Sequence, residues 1–285
     1  MKDFIETSIN APNTREWWVR ADACPALKLH QIVHVGSIET GVPYSRVRTD
    51  LSGTYMLASL SGQGEILLDG RWRVCRAGWA ALTPPHALLA FRAMPKFKWN
   101  FCWVKYEQPP KQKPIISSSS PVLARYDPQP IHSAIMGLFQ EVNGTAAAAP
   151  IHHWVELIQT YVLRFAQPWH VNNRLLSLWE NVNATLGEKW TIQKLAQKSN
   201  LSREHLRRLC RQQLGRSPMH QVIYLRMQKA AELLSATDEK IETIAGAVGY
   251  ENPFVFSNTF KKWTGVRPSQ HRSKTTSAIV PILRG

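Results

Sequence analysis

The chain has 285 residues, 44% of them hydrophobic, enough for one large domain or two ordinary ones. No apolar run reaches membrane-spanning length and residues 1–13 lack an apolar core, so neither a membrane span nor a signal peptide is expected. The net charge of +15 is uneven: residues 170–285 hold 18 Lys/Arg against 8 Asp/Glu, and residues 1–169 hold 17 against 12. A basic end suits a phosphate backbone, although a plain solubility charge has the same signature. Cys24, Cys75, Cys102 and Cys210 form no CxxC pair, which argues against a zinc site or a disulfide framework and fits a reducing cytosol.

The first ~110 residues read as short strands separated by turns: 54–60, 65–70, 71–78, 79–85 and 97–107. Gly62, Gly64, Gly70 and Gly78 fall at the expected strand ends, where positive φ is often needed. Close spacing of short strands predicts an antiparallel barrel or sandwich. Residues 111–121 are a polar, proline-bounded connector. The period then changes, and 130–142 and 151–166 read as helices. In the second, Trp154, Leu157, Ile158, Tyr161, Val162 and Phe165 form one apolar stripe. That stripe either packs on its own barrel or forms a dimer seam through Trp154, Leu157, Ile158 and Tyr161.

From about Arg174 the chain reads as helical, apart from turns and a polar tail at 274–285, and it contains a repeat. Ile192, Leu195, Ala196, Asn200 and Leu201 recur 49 residues later as Ile241, Ile244, Ala245, Gly249 and Tyr250. Gly215 and Pro218 recur 50 residues later as Gly265 and Pro268. Such a repeat is one supersecondary unit used twice. Each copy reads helix, tight turn, helix. Thr191 caps a helix ending near Ser199, Asn200 makes the turn, and Ser202 caps helix 203–214, which stops at Gly215. In the second copy a helix runs from about Lys240 to Val248 and Gly249 makes the turn. Asn252 and Pro253 then start a helix that ends at Gly265.

Helical geometry selects the outward faces. Leu206, Leu209 and Cys210 mark the buried side of 203–214, leaving Glu204, Arg207, Arg208 and Arg211 outside and Arg203 at the edge. Arginines this dense repel one another unless an anion lies against them, and arginine reads guanine bidentately. In 253–264, Phe256, Phe260 and Trp263 point inward. Phe254, Asn258 and Lys261 point outward, flanked by Ser257 and Lys262. Asn258 suits adenine, while Lys261, Lys262 and Arg203 suit phosphates. Phe254 either touches a thymine methyl or folds back into the core. Helix 218–234 between the units is about 25 Å long, against roughly 34 Å between major-groove segments on one DNA face. The shortfall predicts bent DNA or one poorly seated helix.

These residues carry a resemblance. The stretch WTIQKLAQKSNLSREHLRRLCRQQLGRSP…YLRMQKAAELL…IETIAGAVGYENPFVFSNTFKKWTGVRPSQHR resembles the AraC/XylS family of bacterial transcription regulators over nearly all of 174–272. The resemblance implies a seven-helix domain with two helix-turn-helix units. It places base readout near Glu204, Arg207 and Arg208 and near Phe254, Ser257 and Asn258. The stretch YMLASLSGQGEILLDGRWRVCRAGWAALTPPHALLAF…FKWNFCWVKYE resembles the sensor of arabinose-type regulators. That implies a cupin-like barrel binding an effector, commonly a sugar, followed by dimerising helices. By position, Arg48, Phe91, Phe101 and Trp103 would line the pocket. Phe91 and Phe101 are apolar where the arabinose sensor hydrogen-bonds its ligand, and a polyol needs its hydroxyls satisfied, so a different effector is expected.

The expected fold is thus α+β in two domains. A cupin-like antiparallel barrel with dimerisation helices (1–170) precedes an all-α domain with two helix-turn-helix units (171–273) and a polar tail (274–285). The expected partners are double-stranded DNA, a sugar-like effector, a second copy of the chain and, by resemblance, RNA polymerase. The expected location is the bacterial cytoplasm, on the nucleoid. The alternative is a DNA-binding dimer whose barrel serves only assembly. Neither a cofactor nor catalysis is expected: His86 stands alone in its region, and the adjacent His152 and His153 face different ways, so no metal set emerges.

Overall fold

The computed structural model describes residues 6–49, 51–68, 70–108, 115–117, 120, 122–167 and 173–272. The 274–285 tail and much of the 111–121 connector lie outside these residues.

The N-terminal domain is a curled antiparallel sheet. Its strands are β1 (Thr7–Ile9), β2 (Arg15–Arg20), β3 (Ile32–Thr40), β4 (Ser45–Arg48), β5 (Tyr55–Leu68), β6 (Arg71–Arg76), β7 (Trp79–Thr83), β8 (Leu89–Ala93), β9 (Trp99–Tyr106) and β10 (Leu123–Arg125). The main path runs β1-β4-β8-β5-β9-β3-β2; β6 and β7 also pair with β5, and β10 pairs with β7. The sequence suggests two strands at 54–60 and 65–70, but β5 is one strand of 14 residues. Its first half pairs with β7 and β9 and its second half with β6 and β8. Gly62, at φ 67°, and a register shift between Ser59 and Ser61 let the strand bend where a turn was expected.

Two layers of core follow from strand alternation. One face of the sheet carries Val35, Met56, Ala58, Cys102 and Val104, and is covered by α1 (Gln129–Asn143) and α2 (Ala148–Ala166) through Ile131, Ile135, Leu138, Val155, Ile158 and Val162. The other face curls around an aromatic cluster of Tyr44, Tyr55, Phe91, Trp99, Phe101 and Trp103. Their rings meet edge-on or tilted, with Trp99 and Phe101 centroids 4.4 Å apart. Gly36 makes room for this packing, because a Cβ there would lie 2.5 Å from the indole ring of Trp103.

The C-terminal domain comprises α3 (Asn173–Ala184), α4 (Ile192–Ser199), α5 (Arg203–Leu214), α6 (Pro218–Ala236), α7 (Ile241–Ala247) and α8 (Pro253–Thr264), with the start of a seventh helix at 268–272. The expected caps are present. Thr191 Oγ1 accepts from Lys194 N, Ser202 Oγ from His205 N, and Asn252 Oδ1 from Phe254 N and Val255 N. Asn200, Gly215 and Gly265 terminate helices in the left-handed region. Leu195, Ala196, Leu206, Cys210, Ile244, Ala245, Phe256 and Phe260 join one core. Arg226 on α6 ties the units together: Nε donates to Leu186 O at 3.1 Å, Nη2 donates to Glu188 O at 2.8 Å, and the guanidinium lies 5.6 Å from the Tyr250 ring centre.

Candidate nucleic-acid interface and effector pocket

Burial of Leu206, Cys210 and Leu214 fixes the roll of α5, and Arg203, Glu204, Arg207, Arg208 and Arg211 are all exposed. Only one of these arginines has an acidic neighbour on its own helix within reach, the 3.5 Å contact of Arg207 with Glu204. On α8, Phe256 and Phe260 are fully buried, which turns Phe254 and Asn258 outward and leaves Ser257 and Lys261 half-buried. Phe254 does not fold back: it is 81% exposed, beside Val255 at 53%. An apolar pair on the surface at a helix start is the kind of feature that marks a binding face. Lys262 separates from this group, because its aliphatic chain lies against Gly70 of the barrel. With 19 residues, α6 is about 28 Å long.

The barrel docks on the far ends of both outward-facing helices. Val122 N donates to Leu214 O at 3.0 Å, and Leu88 N donates to Trp263 O at 3.4 Å. Trp263, Tyr224 and Arg216 line a small cavity there together with Leu67, Leu82 and Leu88, with the Arg216 guanidinium 3.7 Å from the Tyr224 ring centre.

Inside the barrel is a cavity of about 300 Å³. Of the four residues expected to line it, Arg48, Phe91 and Trp103 do. Phe101 does not: it is fully buried behind them, in ring contact with Phe91 and Trp103. The sequence reading missed Trp18, His34, Tyr44, Arg46, Tyr55 and Lys105, all of which line the cavity. The signal was available in the period of two: Trp103 and Lys105 share a face of β9, and Arg46 and Arg48 share a face of β4. Register completes the set by placing His34 opposite Lys105, Arg46 opposite Phe91 and Arg48 opposite Leu89.

The polar groups of the cavity are specifically wired. Arg48 Nη1 donates to Thr7 O at 3.0 Å and Nη2 to Ser8 Oγ at 2.8 Å, which holds β1 across the mouth. Arg46 donates to Glu16 Oε1 at 3.3 Å and stacks 4.4 Å from the Tyr44 ring centre. Trp103 Nε1 donates to His34 Nδ1 at 2.8 Å, so Nε2 carries the proton of the neutral ring. Burial, then the charges of Lys105, Arg20 and Arg48, hold the His34 pKa down at about 4. Burial and the charge of Arg48 also lower that of Lys105, while burial pushes the Tyr44 phenol up.

The apolar stripe of α2 divides. Ile158 is fully buried against its own barrel and is unavailable to a dimer seam, Trp154 packs against Gly137 of α1, and Tyr161 is half-buried. Leu157 is 38% exposed. Among the described residues no helix is long and apolar enough to cross a membrane.

A helix-turn-helix domain family matches residues 195–274. The chain is 32% identical over 102 residues to the lactose operon transcription activator of Staphylococcus xylosus, covering 36% of this chain and 37% of that one. It is 28% identical over 241 residues to the arabinose operon regulatory protein of Escherichia coli K12, covering 78% and 81%. Residues 195–274 thus carry a helix-turn-helix domain. The chain is also similar to the raffinose operon transcriptional regulatory protein RafR of Pediococcus pentosaceus, 37% identical over 82 residues, 29% of this chain and 30% of that one. With the lactose and raffinose proteins, the chain shares only about a third of their length. Among solved structures, the C-terminal domain of AraT, a response regulator from Geobacillus stearothermophilus, is 34% identical with a TM-score of 0.36, covering 37% of this chain and 88% of that one. These relatives are named as a transcription activator and as operon regulatory proteins.

Proposed function

We propose that the protein is an effector-responsive, sequence-specific transcription regulator, in which α5 and α8 read successive major-groove segments and the barrel binds a small molecule. One observation carries this reading. The barrel that encloses a ligand-sized cavity also donates backbone hydrogen bonds to the ends of both DNA-facing helices. A ligand that prefers one arrangement of barrel and helices would shift the population by its differential affinity for the two states.

Glu204, Arg207, Arg208 and Arg211 are the proposed base contacts of the first unit, and Phe254, Ser257 and Asn258 those of the second. Arg203 and Lys261 are the proposed phosphate contacts. Three relatives are named for sugar operons and one of them as an activator, which supports a sugar-related effector and an activating role through RNA polymerase. The working form is a homodimer joined across the exposed edge of α2 at Leu157, in the bacterial cytoplasm on nucleoid DNA.

The test is operator binding by the full chain and reporter transcription, each with and without ligands from a sugar and sugar-acid screen, with Arg48→Ala as control. The expected result is a ligand-dependent change in at least one of the two. Equal affinity and equal transcription in all conditions would overturn the reading, leaving a DNA-binding dimer with a purely structural barrel.

A further inference from the structure

The cavity is unbalanced in charge and in hydrogen-bonding type. Among the described residues that line it, Arg46, Arg48 and Lys105 face one carboxylate, Glu16, whose Oε1 accepts from Arg46 at 3.3 Å. Arg48 is held by neutral oxygens: Thr7 O, Val47 O and Ser8 Oγ. Lys105 has neither an ion pair nor a hydrogen bond among the described residues. His34, directly opposite it, is kept neutral with its free proton on Nε2.

The wall is therefore richer in cationic donors, from Lys105 and Arg48, with neutral His34 adding one, than in anionic acceptors; the hydroxyls of Ser8, Tyr44 and Tyr55 complete its polar groups. A neutral polyol needs both, since each hydroxyl donates a proton as well as accepting one. An anion needs donors alone, and it relieves the mutual repulsion of Lys105 and Arg48. The aromatic rings of Trp18, Phe91 and Trp103 provide an apolar wall for the rest of the ligand.

We infer that the barrel cavity takes a small organic anion, a carboxylate or phosphate on a sugar-sized body, anchored by Lys105 and Arg48. This rests on the effector reading above and specifies its ligand class.

The experiment is calorimetric titration of the full chain with matched pairs: galacturonate and galactose, glucose 6-phosphate and glucose. The expected result is binding of at least one anionic member and not of its neutral partner. The carboxylate and phosphate arms distinguish the two sources of charge. Lys105→Met should weaken binding about tenfold or more, the loss of one charge-assisted hydrogen bond, while Lys105→Arg retains it. Ligand-free melting of both variants shows that they fold. Neutral sugars binding as tightly as their acids, with Lys105→Met silent, would overturn the anion assignment and leave the effector reading intact. Binding of none of the four would overturn the anion assignment, while the effector reading stands or falls with the operator and reporter screen.

Discussion

The backbone N–H of Val122, in the barrel, donates to the carbonyl of Leu214 in the last turn of α5, at 3.0 Å. The last carbonyls of a helix have no partner within it, so this bond satisfies an otherwise orphaned acceptor from another domain. Leu88 does the same for Trp263 of α8 at 3.4 Å. Both α5 and α8 are thereby held by the N-terminal domain at their C-terminal ends.

Gly215 sits at this junction with φ 75°, and a Cβ there would lie 2.2 Å from Leu123 O. Gly78 has nearly the same φ, 76°, with nothing within 4 Å of a Cβ. Gly78→Ala should cost only left-handed backbone strain, about 1 kcal/mol. Gly215→Ala should cost clearly more, since the barrel must also move away. Thermal melting of the two variants checks this, and equal losses would contradict the domain contact.

On α5, Arg207→Ala or Arg208→Ala should weaken binding to the preferred site by about 1–3 kcal/mol and relax specificity at one position. Arg203→Ala should weaken binding to all sequences alike and reduce the salt slope by about one. Fluorescence anisotropy across salt concentrations and sequences separates the two patterns.

Adjacent lysines on α8 should behave differently. Lys261 is on the half-buried flank of the DNA-facing surface, whereas Lys262 lies along Gly70 of the barrel. Lys261→Ala is expected to lower the salt dependence of DNA binding, and Lys262→Ala to leave it unchanged. The same anisotropy series measures both.

Phe254→Ala should change stability by no more than about 0.5 kcal/mol, because a surface side chain is solvated folded or unfolded. It should nonetheless weaken DNA binding. Phe256→Ala, two residues on and fully buried, should cost about 3–5 kcal/mol. Chemical denaturation beside DNA titration tests the pair.

His34 gives a pH dependence. Its folded pKa is about 4, below the ordinary 6.5, so the unfolded chain takes up a proton before the folded one does. The stability from the neutral ring is complete above pH 6.5 and is lost as pH falls from there toward 4. The limiting slope is about 1.4 kcal/mol per pH unit. His34→Gln should flatten this part of the melting curve against pH; an unchanged acid-side slope would show that other groups govern it.

The helix-turn-helix units were legible in local signals. Thr191, Ser202, Asn252, Gly215 and Gly265 act within a turn of their own position, and Leu206, Cys210, Phe256 and Phe260 orient their helices by a period that any reader can apply. The outward residues followed from those inward ones. The barrel cavity was only partly legible. Alternation puts Phe101, Trp103 and Lys105 on one face of β9, but only the curl of the sheet makes Phe101 the buried floor and Lys105 part of the wall. His34, Arg46 and Arg48 arrive from strands far away in sequence, positioned by register. The parting of Lys262 from Lys261 was likewise decided by the tertiary structure, because a helical wheel specifies direction around an axis and not which domain stands in that direction.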